Sequence, residues 1–165
     1  MLRLYTYYRS LLRKLVLVFS IGAGLGIVTM MVVTCMDVAL RVLDRPLTGV
    51  FDIVTIAGAL TIACALPYTT AVKGHVAIEF FFLKLARRGR TIVDTLTRLI
   101  TMNLFMILSW HSTRYGLALR TAHQVTPTLR IPVFWVPWVI ALSCGLVALV
   151  ILDNLLHPGK EFIKP

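Results

Sequence analysis

Leu15–Met36 reads LVLVFSIGAGLGIVTMMVVTCM and contains no Asp, Glu, Lys or Arg. It exceeds the roughly 20 residues that an α-helix needs to cross about 30 Å of hydrocarbon. Three more charge-free stretches follow, Ile53–Val72, Leu99–Thr113 and Ile131–Leu152. The third is short, and reaches spanning length if its flanks Arg98 and Arg114 extend toward the headgroups. A backbone in lipid must satisfy its own N–H and C=O groups, so each stretch is expected to be a helix. The chain therefore reads as an all-α membrane protein. It is one four-helix transmembrane domain over 1–165, with spans near 15–40, 52–72, 95–117 and 131–153.

Composition supports this. The chain is 58% hydrophobic and 15% charged, with a mean hydropathy of +0.85, unlike an average soluble domain. A net charge of +10 would suggest nucleic acid in a soluble protein. Here the Lys and Arg residues flank membrane stretches, where they serve as topology signals, and nucleic acid is excluded as a partner. The first apolar stretch is too long for the h-region of a cleaved signal peptide and leads into Asp37 and Arg41. Before it, Arg3, Arg9, Arg13 and Lys14 with Tyr5, Tyr7 and Tyr8 form an amphipathic arm, expected to lie on membrane lipids at the inner leaflet.

Charge orients the spans. The N-terminal arm, the 73–98 connection and the C-terminal tail carry twelve basic residues, whereas the other two connections carry five, Arg41, Arg45, Arg114, Arg120 and Arg130. The positive-inside rule places both termini and the central connection in the cytoplasm, as expected of a multi-pass protein of a bacterial inner membrane. Within the central connection, Val76–Leu85 is too short to span and too apolar to be a solvated loop. It predicts a short interfacial helix between helices two and three, ending near Gly89.

Most chemistry fails on spacing. Cys35, Cys64 and Cys144 are dispersed in apolar helices and form neither a redox nor a zinc motif. His75, His111, His123 and His157 are too scattered to ligate haem, and His111 is expected to hydrogen-bond within the helices. No cofactor, metal site or catalytic residue is indicated, and an enzyme is not expected. Asp37 and Arg41 stand four apart and share a helix face, and Asp52 opens helix two. These three are expected to form a structural ion-pair cluster. Gly22, Ala23, Gly24 and Gly26 in helix one, with Ala57, Gly58 and Ala59 in helix two, allow close helix approach. Pro67 is expected to kink helix two or end its regular bonding.

One combination is more specific. Helix two ends Leu66-Pro67-Tyr68, then Lys73-Gly74-His75 leads to Glu79. Ile131-Pro132 precedes helix four, which carries Gly145. This arrangement over roughly 15–155 resembles the small membrane subunit of tripartite ATP-independent periplasmic (TRAP) transporters, the DctQ type. Two positions depart from the usual pattern, Asp52 standing for Glu and Glu79 for Asp, and both keep the charge. The resemblance implies a non-catalytic partner of a large membrane subunit of roughly twelve helices that binds substrate and sodium. It also implies a periplasmic substrate-binding protein that delivers an organic acid, such as a dicarboxylate or sialic acid. The small subunit would brace the transport subunit and help to dock the binding protein. Arg114, Arg120, His123 and Arg130, on a 114–130 outer loop, are the candidate docking residues. The alternative is a self-contained, homo-oligomeric four-helix exporter, which would need an intramembrane carboxylate. Asp37 is the sole candidate for that, close to the rim with Arg41 beside it.

Overall fold

A computed structural model describes residues 2–72 and 87–156. Four helices account for nearly all of them: α1 (Leu2–Val42), α2 (Val50–Ala71), α3 (Arg87–Thr121) and α4 (Trp135–Leu156). The helices alternate in direction, so the α1–α2 and α3–α4 connections share one end, here the loop end. The start of α1 and the finish of α4 share the other, here the terminal end. Among the described residues three segments are long and apolar enough to cross a membrane, Tyr7–Val42, Val50–Ala71 and Trp135–Asp153. α3 is not among them, because Arg98, Asn103, His111 and Arg114 interrupt its apolar residues.

The helices form a row in the order α1, α2, α4, α3. α1 packs on α2, α2 on α4, and α4 on α3, whereas α3 packs extensively on α4 alone among the described residues. Of the most apolar part of each segment, 11% is buried within the chain for α1, 28% for α2 and 56% for α4. α4 is thus the centre of the row, and α1 leaves most of its surface to its surroundings.

Two expectations change at the terminal end. The basic N-terminal segment is no separate arm, because α1 runs without a break from Leu2 to Val42. The physical reason is packing: Leu12 and Val16 lie one turn apart and are buried with Ala71, Leu146 and Val150, with Phe19, Tyr68 and Val72 beside them. Burial of that stripe extends the helix past its basic residues. The expected interfacial helix falls mostly at 73–86, outside the described residues. Gly89, its expected end, lies inside α3, which is helical throughout Arg87–Arg98. One glycine costs a helix only about 1 kcal/mol, too little to end it between good helix formers.

Small residues set the spacing of α1 and α2. Gly22 approaches the Cys64 sulfur, Gly26 approaches Thr61 and Ala57, and Met30 reaches Gly58. The four-residue step on α1 runs antiparallel to its mates on α2, as expected for ridges packed into grooves. A Cβ at Gly26 would overlap the Thr61 hydroxyl, which is held by its 2.7 Å hydrogen bond to the Ala57 carbonyl. A Cβ at Gly24 meets nothing within 4 Å. Gly26→Leu should therefore lower the unfolding free energy by about 1–3 kcal/mol relative to Gly24→Leu, read by denaturant titration in detergent. Equal stability of the two variants would contradict the close approach.

Candidate functional site at the loop end

Both long helices that arrive at this end stop in the same way. Asp44 ends α1 with φ 55° and His123 ends α3 with φ 48°. The Arg45 N–H donates to the Leu40 carbonyl (3.0 Å), and the Gln124 N–H to the Leu119 carbonyl (3.1 Å). This is the left-handed cap that satisfies the last carbonyls of a helix. His123, a candidate docking residue, is therefore also the residue that turns the chain out of α3. Arg114 and Arg120 were expected on a loop but belong to α3, which continues to Thr121.

The α3–α4 connection is a tight hairpin. Val125 and Pro132 form an antiparallel bridge. The Thr126 N–H donates to the Ile131 carbonyl (2.9 Å) and the Ile131 N–H to Thr126 Oγ1 (3.0 Å). The Arg130 N–H donates to the Thr126 carbonyl (3.2 Å), with Arg130 at φ 52°. Asp52 completes the turn from outside. Its Oδ2 accepts the Thr128 N–H at 2.9 Å and the Leu129 N–H at 2.8 Å. Leu129 in turn lies over Gly49, at φ 89°, where its methyl groups occupy the space a Cβ would fill. The start of α2 and the hairpin are thus one unit.

The expected three-residue cluster divides. Arg41 Nη2 donates to Asp37 Oδ2 at 2.6 Å, and Asp37 Oδ1 accepts the Leu47 N–H at 3.1 Å. Asp52 is not paired with Arg41. Its carboxylate is spent on backbone donors, which a buried acid at a helix start can hold as well as a cation would. Sequence reading placed Asp52 near the right end but missed its partners, because the 126–131 turn is built from a threonine hydroxyl and backbone groups. Thr126, buried at this turn, left only the Thr-Pro-Thr pattern as a signal.

The basic candidates do not converge. Arg120 stacks over the Phe134 ring at 5.9 Å, a cation–π distance. Arg114 is exposed two turns earlier on α3, about a third of a turn away in direction. Arg130 and His123 are exposed on the hairpin. Of the motif residues, Ile131 and Pro132 shape the hairpin, and Gly145 faces Ser109, whose Oγ would lie 3.8 Å from a Cβ at that position. Gly74, His75 and Glu79 lie outside the described residues. Pro67 sits inside α2, which continues past it to Ala71. His111, expected to bond within the helices, is exposed, while Ser109 Oγ donates to the Ala141 carbonyl at 2.8 Å.

A second ion pair, absent from the sequence expectations, closes the terminal end. Arg9 Nε lies 3.1 Å from Asp153 Oδ2, and the Asp153 side chain is 2% exposed. The signal available was an acid directly after a charge-free span, opposite a basic segment. No group of three His, Cys, Asp or Glu side chains suited to a metal occurs among the described residues. What these arrangements do chemically is fasten: Arg9 and Asp153 tie α1 to α4 at the terminal end, Asp37 holds the Leu47 N–H at the loop end, and Asp52 caps the hairpin turn.

Replacing Asp52 by Ala removes the acceptor of two amides and should cost about 1–3 kcal/mol, with faster hydrogen exchange at Thr128 and Leu129. Arg41→Ala, at a side chain 69% exposed, should cost under about 1 kcal/mol. Equal losses, or unchanged exchange at Thr128 and Leu129, would contradict the division of the cluster.

Comparison with known proteins agrees with the resemblance read from the motifs. The family model for tripartite ATP-independent periplasmic transporters, DctQ component, matches residues 30–159. No individually curated protein matches the chain. The matched region takes in the last third of α1, both loop-end connections and all of α2, α3 and α4, so the chain belongs to the DctQ family, the small permease component of TRAP transporters.

Proposed function

We propose that this chain is the non-catalytic scaffold of a sodium-coupled TRAP transporter for an organic acid. It braces the large transport subunit and presents its loop end to the periplasmic substrate-binding protein. The family match carries the reading. In this reading α3 is the fourth crossing: its 35 residues extend about 52 Å at 1.5 Å per residue, and Arg98 and Arg114 reach the two headgroup layers. A periplasmic loop end is supported by the charge distribution, which with four crossings has twelve basic residues on one side and five on the other.

The open row supports a scaffold. A transporter that works alone needs a path lined by its own helices, whereas here α3 and α1 sit at opposite ends of the row. The polar groups inside the row are hydroxyls bonded to carbonyls, such as Ser109 to Ala141 and Thr61 to Ala57. The exporter alternative rests on Asp37, and both Asp37 oxygens are already engaged, by Arg41 and by the Leu47 N–H. At the loop end, Arg45, Arg120 and Arg130 offer cations, with the His123 imidazole among them, to an acidic face of a binding protein. Charges of this kind govern association rate and salt dependence more than affinity.

Reconstitution tests the proposal. Proteoliposomes holding this chain alone should show no sodium-dependent organic-acid uptake. Adding the large subunit and the binding protein should restore it, and uptake at a fixed, subsaturating binding-protein concentration should fall as salt rises. Robust uptake by the chain alone would overturn the scaffold reading in favour of the exporter.

A further inference from the structure

The two sides of α3 differ in what covers them. Thr101, Phe105, Ser109, Ser112, Gly116 and Leu119 recur at three- and four-residue spacing and are buried or half-buried toward α4. Close to half a turn away lie Leu96, Ile100, Asn103, Ile107, Trp110 and Arg114, with His111 at the edge, and all of these are exposed. An exposed apolar face inside a bilayer needs only lipid. This face carries an amide, an imidazole and a guanidinium.

Depth makes the point sharper. Arg98 and Arg114 are about 24 Å apart along the helix axis, so Asn103 falls well inside the hydrocarbon in the four-crossing reading. An amide there has two donors and an acceptor to satisfy, and lipid tails offer nothing in return. Among the described residues neither the Asn103 nor the His111 side chain makes a hydrogen bond, whereas that of Ser109 on the packed side does. Polar side chains at such depths usually face protein.

We infer that this face of α3 is the docking surface for a transmembrane helix of a second membrane subunit. That helix offers hydrogen-bonding side chains opposite Asn103 and His111, and an acidic group or a helix C-terminus near Arg114. The inference rests on the scaffold reading above and adds the surface through which the large subunit is held. Trp110 is the anchor, the residue type that most often dominates an interface. Beside it an apolar groove of about 830 Å³ between α3 and α4, lined by Met102, Met106, Leu142 and Leu149, continues the surface. A second copy of this chain fits poorly. Two copies related by an axis along the membrane normal would meet through α3 at equal depth, setting Arg114 against Arg114, a like-charge contact that disfavours pairing.

The test uses the complex with the large subunit, carrying a photo-crosslinking residue in place of Ile107 or, on the exposed face of α1, Val28. The Ile107 position should give an adduct with the large subunit. Asn103→Leu should weaken co-purification roughly three- to tenfold without lowering the thermal stability of the chain alone. Adducts from the Val28 position only, with Asn103→Leu assembling normally, would overturn the docking surface and leave the scaffold reading standing. Adducts between two copies at Ile107, or adducts with lipid alone, would also overturn it. Failure of the wild-type chain to co-purify with the large subunit would overturn both.

Discussion

The carbonyl of Ala63 has no donor within its own helix. Four residues on stands Pro67, which has no N–H to give, and α2 nevertheless continues to Ala71. In water the orphan carbonyl would be hydrated. In the fully buried contact between α2 and α4 it is not, and an unsatisfied backbone group in lipid costs several kcal/mol. Ser143 of α4, itself fully buried, donates its hydroxyl to that carbonyl. The proline therefore creates a need that only the neighbouring helix meets, and this fixes which part of α4 lies beside which part of α2. The rest of the row follows from that register: α1 is set on α2 by Gly26, and α3 on α4 by Ser109 and Gly116.

Polar chemistry in this fold is sorted by depth. In the middle of the contacts between the helices are hydroxyls and glycines, which add specificity without burying charge. Ions stand at the two ends, Asp37 with Arg41 at one and Arg9 with Asp153 at the other. Trp138 fits the same scheme: its ring covers Gly116 and meets Phe134 edge to face with centroids 5.4 Å apart. A row held in this way is rigid along its seams and open on its faces, which suits a subunit that works by packing against a larger one.

The helices were legible in the sequence because charge-free stretches of that length have few alternatives, and the Gly22–Gly26 pattern correctly pointed to α1 and α2 packing together. The N-terminal segment was misread because Arg9, Arg13 and Lys14 look like surface residues. Their helix is decided by Leu12 and Val16, whose partners at Leu146 and Val150 are more than a hundred positions away and give no local signal. Arg114 and Arg120 were placed on a loop for a related reason. Charge ended the apolar count, yet a helix ends only where its carbonyls find a cap, which happens at His123. Asp52 was recognised as important but not as a turn cap, since its partners are backbone amides of a distant hairpin. Pro67 was expected to disturb α2, and the hydroxyl that compensates for it sits on another helix.

A double-mutant cycle on Pro67 and Ser143 measures whether the seam between α2 and α4 works as described. Pro67→Ala restores an N–H that can bond the Ala63 carbonyl, so the Ser143 hydroxyl should then matter less. With proline present, Ser143→Ala should cost about 1–2 kcal/mol of unfolding free energy. In the Pro67→Ala background it should cost less than about half of that, a coupling large enough to resolve between contacting residues. The same cost in both backgrounds would show that Ser143 does not compensate for the proline, and the register of the row would need another cause.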